Sequence, residues 1–418
     1  MRQPLPRPAR GRRPVGERSR AVSVTAAKGF RAAGVTAGLK DSGAPDLALV
    51  VNDGPSRVGA AVFTSNRFKA NPVLWSEQVV RDGRVVAVVL NSGGANCGTG
   101  PEGFQTTHAT AEAVAGLLTD GTDCSTGTDA IESYGAGDVV VCSTGLIGPL
   151  FSRDRLLAGL PAAHAALSTG GGPDAATAIR TTDSVRKQAV VSRDGWTVGG
   201  MAKGAGMLAP ALATMLVVLT TDADVDAGQC DAALRAATRT TFDRLDSDGC
   251  QSTNDTVLLM ASAAAGVRPE PDDFAEAVRQ VCADLALQLL RDAEGSEHDI
   301  AVEVVGAASE DDAVEVGRSV ARSSLFKCAV FGEDPNWGRV LAAVGTTRAA
   351  FDVYQVDVTF NGVQVCRAGQ AHEDPTLVRF DGRDVHVLIA LHAGEATATI
   401  RTNDLTTAYV HENSAYST

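Results

Sequence analysis

The sequence predicts a layered α/β (α+β) protein, and three observations lead there. Short, wholly apolar runs with strand character leave into glycine-rich or small polar turns. The clearest helical periodicity falls in the second half of the chain. Strands and helices are mixed without the strand–helix–strand rhythm of a doubly wound parallel sheet.

The first twenty residues, MRQPLPRPARGRRPVGERSR, carry seven Arg and one Glu. They contain no apolar segment of the kind a secretory signal needs. Residues 1–22 are expected to be a basic, unstructured tail, although such a tail would also suit nucleic acid or an anionic lipid surface. The 418-residue chain as a whole has a net charge of -13, so nucleic acid is not an expected partner. The longest nearly apolar run, Leu208 to Leu219, is too short for a membrane span and is interrupted by Pro210. Eight cysteines without CxxC spacing predict buried thiols in a cytoplasmic protein rather than a disulfide scaffold. The seven histidines form neither HxH nor HExxH, so no metal site is expected. No internal repeat is present.

In chain order, the stretch GFRAAGVTAGLKDSGAPDLALVVNDGPSRVGAAVFTSN alternates β-like runs with turn residues. Val85 to Leu90 reads as a buried strand that leaves into NSGGANCGTG, and THATAEAVAGLL reads as a helix. Val139 to Cys142 is a second buried strand, ending in Ser143-Thr144-Gly145. Met215 to Thr220 is a third. DDFAEAVRQVCADLALQLLRDAEG places Phe274, Val278, Val281, Cys282, Leu285 and Leu289 on one helical face and stops at Gly295. Ser309 is a candidate N-cap followed by acids in the first turn. Val356, Val358 and Phe360 alternate ahead of Asn361-Gly362, a type I′ hairpin signature. DVHVLIALHAGEATATIRTNDLTTAYV supplies two or three further strands.

Neither glycine-rich loop fits a phosphate-binding pattern, and there is no GxSxG elbow. Threonine remains as a nucleophile. An internal threonine hydroxyl lacks an adjacent base. A chain cut just before it would supply one, because the new α-amine, with a pKa near 8, sits within reach of its own Oγ. Thr214 suits this chemistry: small Ala213 precedes it, glycines upstream permit a tight bend, and an apolar strand follows. By itself, a threonine ahead of an apolar run is equally an ordinary strand residue.

KGAGMLAPALATMLVVLTTDA resembles the self-cleavage segment of the ornithine acetyltransferase family. FTSNRFKANPV, NSGGANCGTG, CSTGLIG, AIRTTDS, DAEG, FGEDPNWGRV and HENSAYST match the same family, in order, from about Val35 to Thr418. The resemblance implies an αββα sandwich similar to N-terminal-nucleophile hydrolases but with its own topology, plus a smaller C-terminal α/β region. It implies cleavage between Ala213 and Thr214 into an α chain (23–213) and a β chain (214–418), associated as α2β2. It further implies acetyl transfer from N2-acetylornithine to glutamate in cyclic arginine biosynthesis. No cofactor is implied; acetyl-CoA as an alternative donor stays open.

The family roles carry over residue by residue. Thr214 would be the nucleophile, and Thr144 with Gly145 the oxyanion hole. Thr182, Lys203, Thr214, Glu294, Asn413 and Thr418 would bind substrate, with Thr181 not distinguished from Thr182. Where the family often has Asp-Gly-Glu-Gly, this chain has Asp292-Ala293-Glu294-Gly295. Two readings compete with acetyl transfer: an amidase or aminopeptidase passing the acyl group to water, and a non-catalytic binding protein whose chain stays whole.

Overall fold

The computed structural model describes residues 23–120, 133–207, 209 and 215–415. The basic tail therefore lies outside the described residues. The first half contributes strands β1 (Phe30–Val35), β2 (Leu47–Asn52) and β3 (Val58–Phe63), then helix α1 (Asn71–Val79). Strand β4 (Ala87–Asn91), helix α2 (Gly100–Asp120), strand β5 (Val139–Ser143) and helices α3 (Arg153–Ala165) and α4 (Gly172–Ala178) follow. Next come β6 (Lys187–Ser192), β7 (Thr197–Lys203), β8 (Leu216–Thr221), α5 (Ala227–Thr240), β9 (Thr256–Ala261) and α6 (Pro271–Arg291).

These elements build the expected αββα sandwich. One sheet has the order β1-β2-β4-β5 and the other β3-β9-β8-β7-β6. The strand runs are apolar at successive positions because both faces of each sheet are covered. Leu47, Leu49, Val51, Val89 and Val141 face α2 and α3. The alternate residues Ala48, Val50, Val88, Leu90 and Val140 meet Leu216, Val218, Leu258 and Met260 of the second sheet. On that sheet's outer face, Val217, Leu219, Val257 and Leu259 pack against Leu234 of α5 and Val278, Val281 and Leu285 of α6. All six expected apolar positions of α6 are buried.

The chain continues through β10 (Asp299–Ala307), α7 (Glu310–Ala321), α8 (Ser324–Phe331) and α9 (Trp337–Val344). Strands β11 (Asp357–Phe360), β12 (Val363–Arg367), β13 (Gln370–Ala371), β14 (Asp384–Ala390) and β15 (Ala396–Asn403) precede the last helix, α10 (Thr407–Ala415). A six-stranded sheet, β13-β12-β11-β14-β10-β15, forms the smaller C-terminal region, whose core includes Ile300, Val316, Phe326 and Phe360. Ser309 caps α7 by accepting from the Asp312 N–H at 3.1 Å. Asn361 (φ 44°) and Gly362 (φ 87°) both adopt the left-handed conformation that a type I′ turn requires.

One helix boundary is corrected. Helix α6 ends at Arg291, four residues before Gly295, because the Asp292 carboxylate is engaged elsewhere and the Glu294 N–H bonds to Ala205 O at 3.0 Å. The region from 384 to 410 holds two strands, within the two or three expected, and then the start of a helix. Among the seven described cysteines, five are buried as expected, whereas Cys250 and Cys328 are exposed. No helix among the described residues is long and apolar enough to cross a membrane.

Leu219 is fully buried between the second sheet and its helices. Leu219→Ala should therefore cost about 2–5 kcal/mol, read as a lower urea midpoint with an unchanged m-value.

Candidate active site

At one end of the sandwich, the apolar strands give way to polar residues. Strands β4, β5 and β7 finish there on Asn91, Ser143 and Lys203, while β8 and β9 begin there. These ends border a cavity of about 620 Å³. Its lining includes Thr144, Gly145, Thr182, Lys203, Glu294 and Asn413, together with Thr181. All the expected site residues that can be described thus meet in one place, though they come from widely separated parts of the chain. Ala213, Thr214 and Thr418 lie outside the described residues.

The Thr144–Gly145 turn is held from both sheets. The Thr144 N–H donates to Asn91 O at 2.9 Å, and its carbonyl accepts from the Gly94 N–H at 3.0 Å. Buried Asn254, just ahead of β9, donates to Ser143 O at 2.8 Å and to Ala95 O at 2.6 Å. Gly145 has φ 130°, and a Cβ there would stand 2.8 Å from the Gly94 backbone. Only glycine fits that approach. Among the described residues, the Gly145 N–H has no hydrogen-bond partner.

Lys203 is 1% exposed, and its Nζ donates to Thr144 Oγ1 at 3.1 Å. An ammonium is a donor only. Thr144 Oγ therefore accepts in this bond, and its own O–H remains free to donate. Burial pushes the Lys203 pKa down and Lys187 adds to that, against the opposing pull of Asp183, Asp255 and Glu294. Asp255 accepts the N–H of Met215 at 3.0 Å, fixing the residue that follows position 214. Burial raises the Asp255 pKa well above the usual carboxylate range despite that bond.

Beneath the cavity lies a buried ionic cluster. Lys187, 0% exposed, contacts Asp183 and Asp292 at 2.6 Å each. Asp183 also accepts from the Gly204 N–H at 2.6 Å and the Thr181 N–H at 3.0 Å. Burial opposes its charge, but Lys203, Lys187 and the Gly204 N–H outweigh this and hold its pKa at about 2. Asp292 accepts from both the N–H (3.1 Å) and the hydroxyl of Ser184.

Glu294 follows in the turn that leaves α6, where its carboxylate packs against Gly206. Asn413 of α10 donates to Glu294 Oε2 at 3.1 Å, so the C-terminal helix folds back over the cavity. That return needs Gly295, where a Cβ would lie 2.2 Å from the Tyr409 nitrogen. Asp183 and Asp292 fall inside the AIRTTDS and DAEG segments, which by themselves give these two residues no role. Sequence reasoning missed Asn254 and Asp255, whose signal is a polar pair ahead of an apolar run. Lys187 carries no local signal, since SVRKQAV reads as an ordinary edge strand.

A cavity of this volume with cations and carboxylates in its walls is a site for a small, charged molecule. The chain belongs to the ArgJ family, whose model matches residues 31–418. It is 65% identical over 396 residues to the arginine biosynthesis bifunctional protein ArgJ of Streptomyces coelicolor, covering 95% of this chain and 100% of that one. The protein of the same description from Thermobifida fusca is 59% identical over 397 residues, covering 95% and 100%. An ornithine acetyltransferase from Mycobacterium tuberculosis, solved in complex with ornithine, is 56% identical over 47% of this chain and 97% of that one, with a TM-score of 0.42.

Lys187→Met should destabilise the fold by about 3–5 kcal/mol at neutral pH, because the buried Asp183 and the partly buried Asp292 lose their cation. Asp183 has a folded pKa of about 2, below its value of about 4 when unfolded. Its contribution is thus complete above pH about 4 and is lost as pH falls through about 2. Urea denaturation across that window should show the gap between wild type and variant narrowing as pH falls.

Proposed function

We propose that this protein is a self-processing glutamate N-acetyltransferase of arginine biosynthesis, with N2-acetylornithine as the acetyl donor. Cleavage between Ala213 and Thr214 yields chains 23–213 and 214–418 and frees the Thr214 amine. Thr214 Oγ attacks the acetyl carbonyl, the α-amine takes the hydroxyl proton, and that proton passes to the departing ornithine nitrogen. The observation that carries the reading is the bond from Lys203 to Thr144, which leaves the Thr144 O–H able to donate beside a Gly145 N–H that is unpartnered among the described residues. Two such donors suit the oxyanion of an acyl-transfer intermediate.

Charge supports the substrate choice. Lys203 would pair with the α-carboxylate common to ornithine and glutamate, and Glu294, which accepts a bond from Asn413, with the ornithine ammonium. Thr182 and Thr418 complete the substrate contacts in this reading, and an α2β2 assembly in the cytoplasm belongs to it. The two chains would share one sheet, with β3, β6 and β7 in the first and β8 and β9 in the second.

The test is the denatured intact mass of the purified protein, followed by an acetyl-transfer assay. Wild type should give two polypeptides, the second starting at Thr214, while Thr214→Ala stays whole and inactive. Thr144→Val should lower kcat about 100-fold or more by removing one oxyanion donor. Acetate release without acetylglutamate would instead favour a hydrolase, and a whole wild-type chain would remove the proposed base.

A further inference from the structure

N2-acetylornithine and glutamate end in opposite charges. A site that serves both needs a cation for the glutamate side chain as well as Glu294 for the ornithine ammonium. Among the described residues, three cationic side chains line the cavity: Lys40, Arg180 and Lys203. Lys203 is committed to Thr144 and, in the reading above, to the shared α-carboxylate. The Lys40 ammonium donates to the carbonyls of Pro45 at 3.0 Å and Arg180 at 2.7 Å. Lys40 thereby grips the backbone of the third cation.

Arg180 is differently placed. It follows α4 and stands immediately before Thr181 and Thr182 in the cavity wall. Its Nη1 donates to Ser184 O at 3.0 Å. Its Nε is buried without a hydrogen-bond partner, and among the described residues the side chain forms no ion pair. Among the described residues the guanidinium is therefore tethered through one nitrogen, and its remaining N–H groups have no partner. A buried donor without a partner is costly. A planar carboxylate is the group that satisfies a guanidinium with two parallel bonds.

We propose that Arg180 selects the acceptor, holding the side-chain carboxylate of glutamate while the acetyl-enzyme is discharged. The proposal rests on the acetyl-transfer reading above. In that step the glutamate α-nitrogen attacks the acetyl carbonyl and forms the C–N bond. The bond from carbonyl carbon to Thr214 Oγ breaks, and the amine proton reaches Oγ through the Thr214 α-amine. Arg180 orients the incoming amine and takes no proton.

The experiment compares self-processed wild type with Arg180→Gln and Arg180→Lys. Ornithine release from N2-acetylornithine and acetyl transfer to glutamate or glutamine are measured separately. Arg180→Gln should raise the KM for glutamate at least about 30-fold, leave ornithine release within about twofold, and erase most of the preference for glutamate over glutamine. Arg180→Lys, which keeps the charge but loses the fork, should fall between the two. An unchanged KM for glutamate would overturn the assignment. So would an equal fall in both half-reactions, which would mark a structural role. Wild type that releases ornithine but never acetylates glutamate would overturn the transfer reading itself, and this assignment with it.

Discussion

The site depends on the buried ammonium of Lys187, shared between Asp183 and Asp292. A buried ion pair adds little net stability over apolar packing of the same volume, but breaking it is costly. This one joins three segments that each carry a substrate-facing residue in our reading. Asp183 holds the Thr181 N–H and so fixes the turn containing Thr182. The same carboxylate holds the Gly204 N–H, next to Lys203. Asp292 ends α6 two residues before Glu294 and ties it to Ser184. A displacement of any one segment would leave a charge buried without its partner, so the three move together or not at all.

The same dry environment governs the chemistry. Lys203 has lost its water shell and lies beside Thr144, so its hydrogen bond is not screened as a surface bond would be. Asp183, although close to Lys203, is already matched by Lys187 and two backbone N–H groups. It thus stays ionised and helps to hold Lys203 charged against the cost of burial. Glu294 also lines the cavity, supported by a helix that returns from the far end of the chain. In our reading, this arrangement offers separate binding places for the two ends of an amino acid while Thr144 and Gly145 stay fixed between the sheets as oxyanion donors.

Much of this was legible in the sequence, for identifiable reasons. The strands β4, β5 and β8 declared themselves because burial on both faces demands continuous apolar runs, and α6 because one face must meet a sheet. Chain order did not reveal which strands are neighbours: β3 pairs with β9 across nearly two hundred residues. Thr144, Gly145, Lys203, Glu294 and Asn413 were reached through the motifs around them. The Lys187 cluster was not, since a lysine looks solvated until tertiary structure closes over it. Asn254 was missed similarly, because a polar residue before a strand looks like a turn until its amide is seen tying two loops together.

Strand pairing also bears on how a chain can be opened beside its own active site and keep its shape. Strands β7 and β8 are antiparallel neighbours from Val198↔Thr221 to Lys203↔Leu216, so every pair in that ladder lies outside positions 208–214. Breaking the bond between 213 and 214 removes none of those pairs, nor the parallel pairing of β8 with β9. The apolar contacts between the sheets and beneath α5 and α6 are likewise untouched. Met215 remains anchored through Asp255, so a new N-terminus at 214 would begin one residue from a buried, hydrogen-bonded point. Such a cut exchanges a peptide bond for a nearby amine while the sheets keep the pieces in register, which is the geometry an N-terminal nucleophile needs.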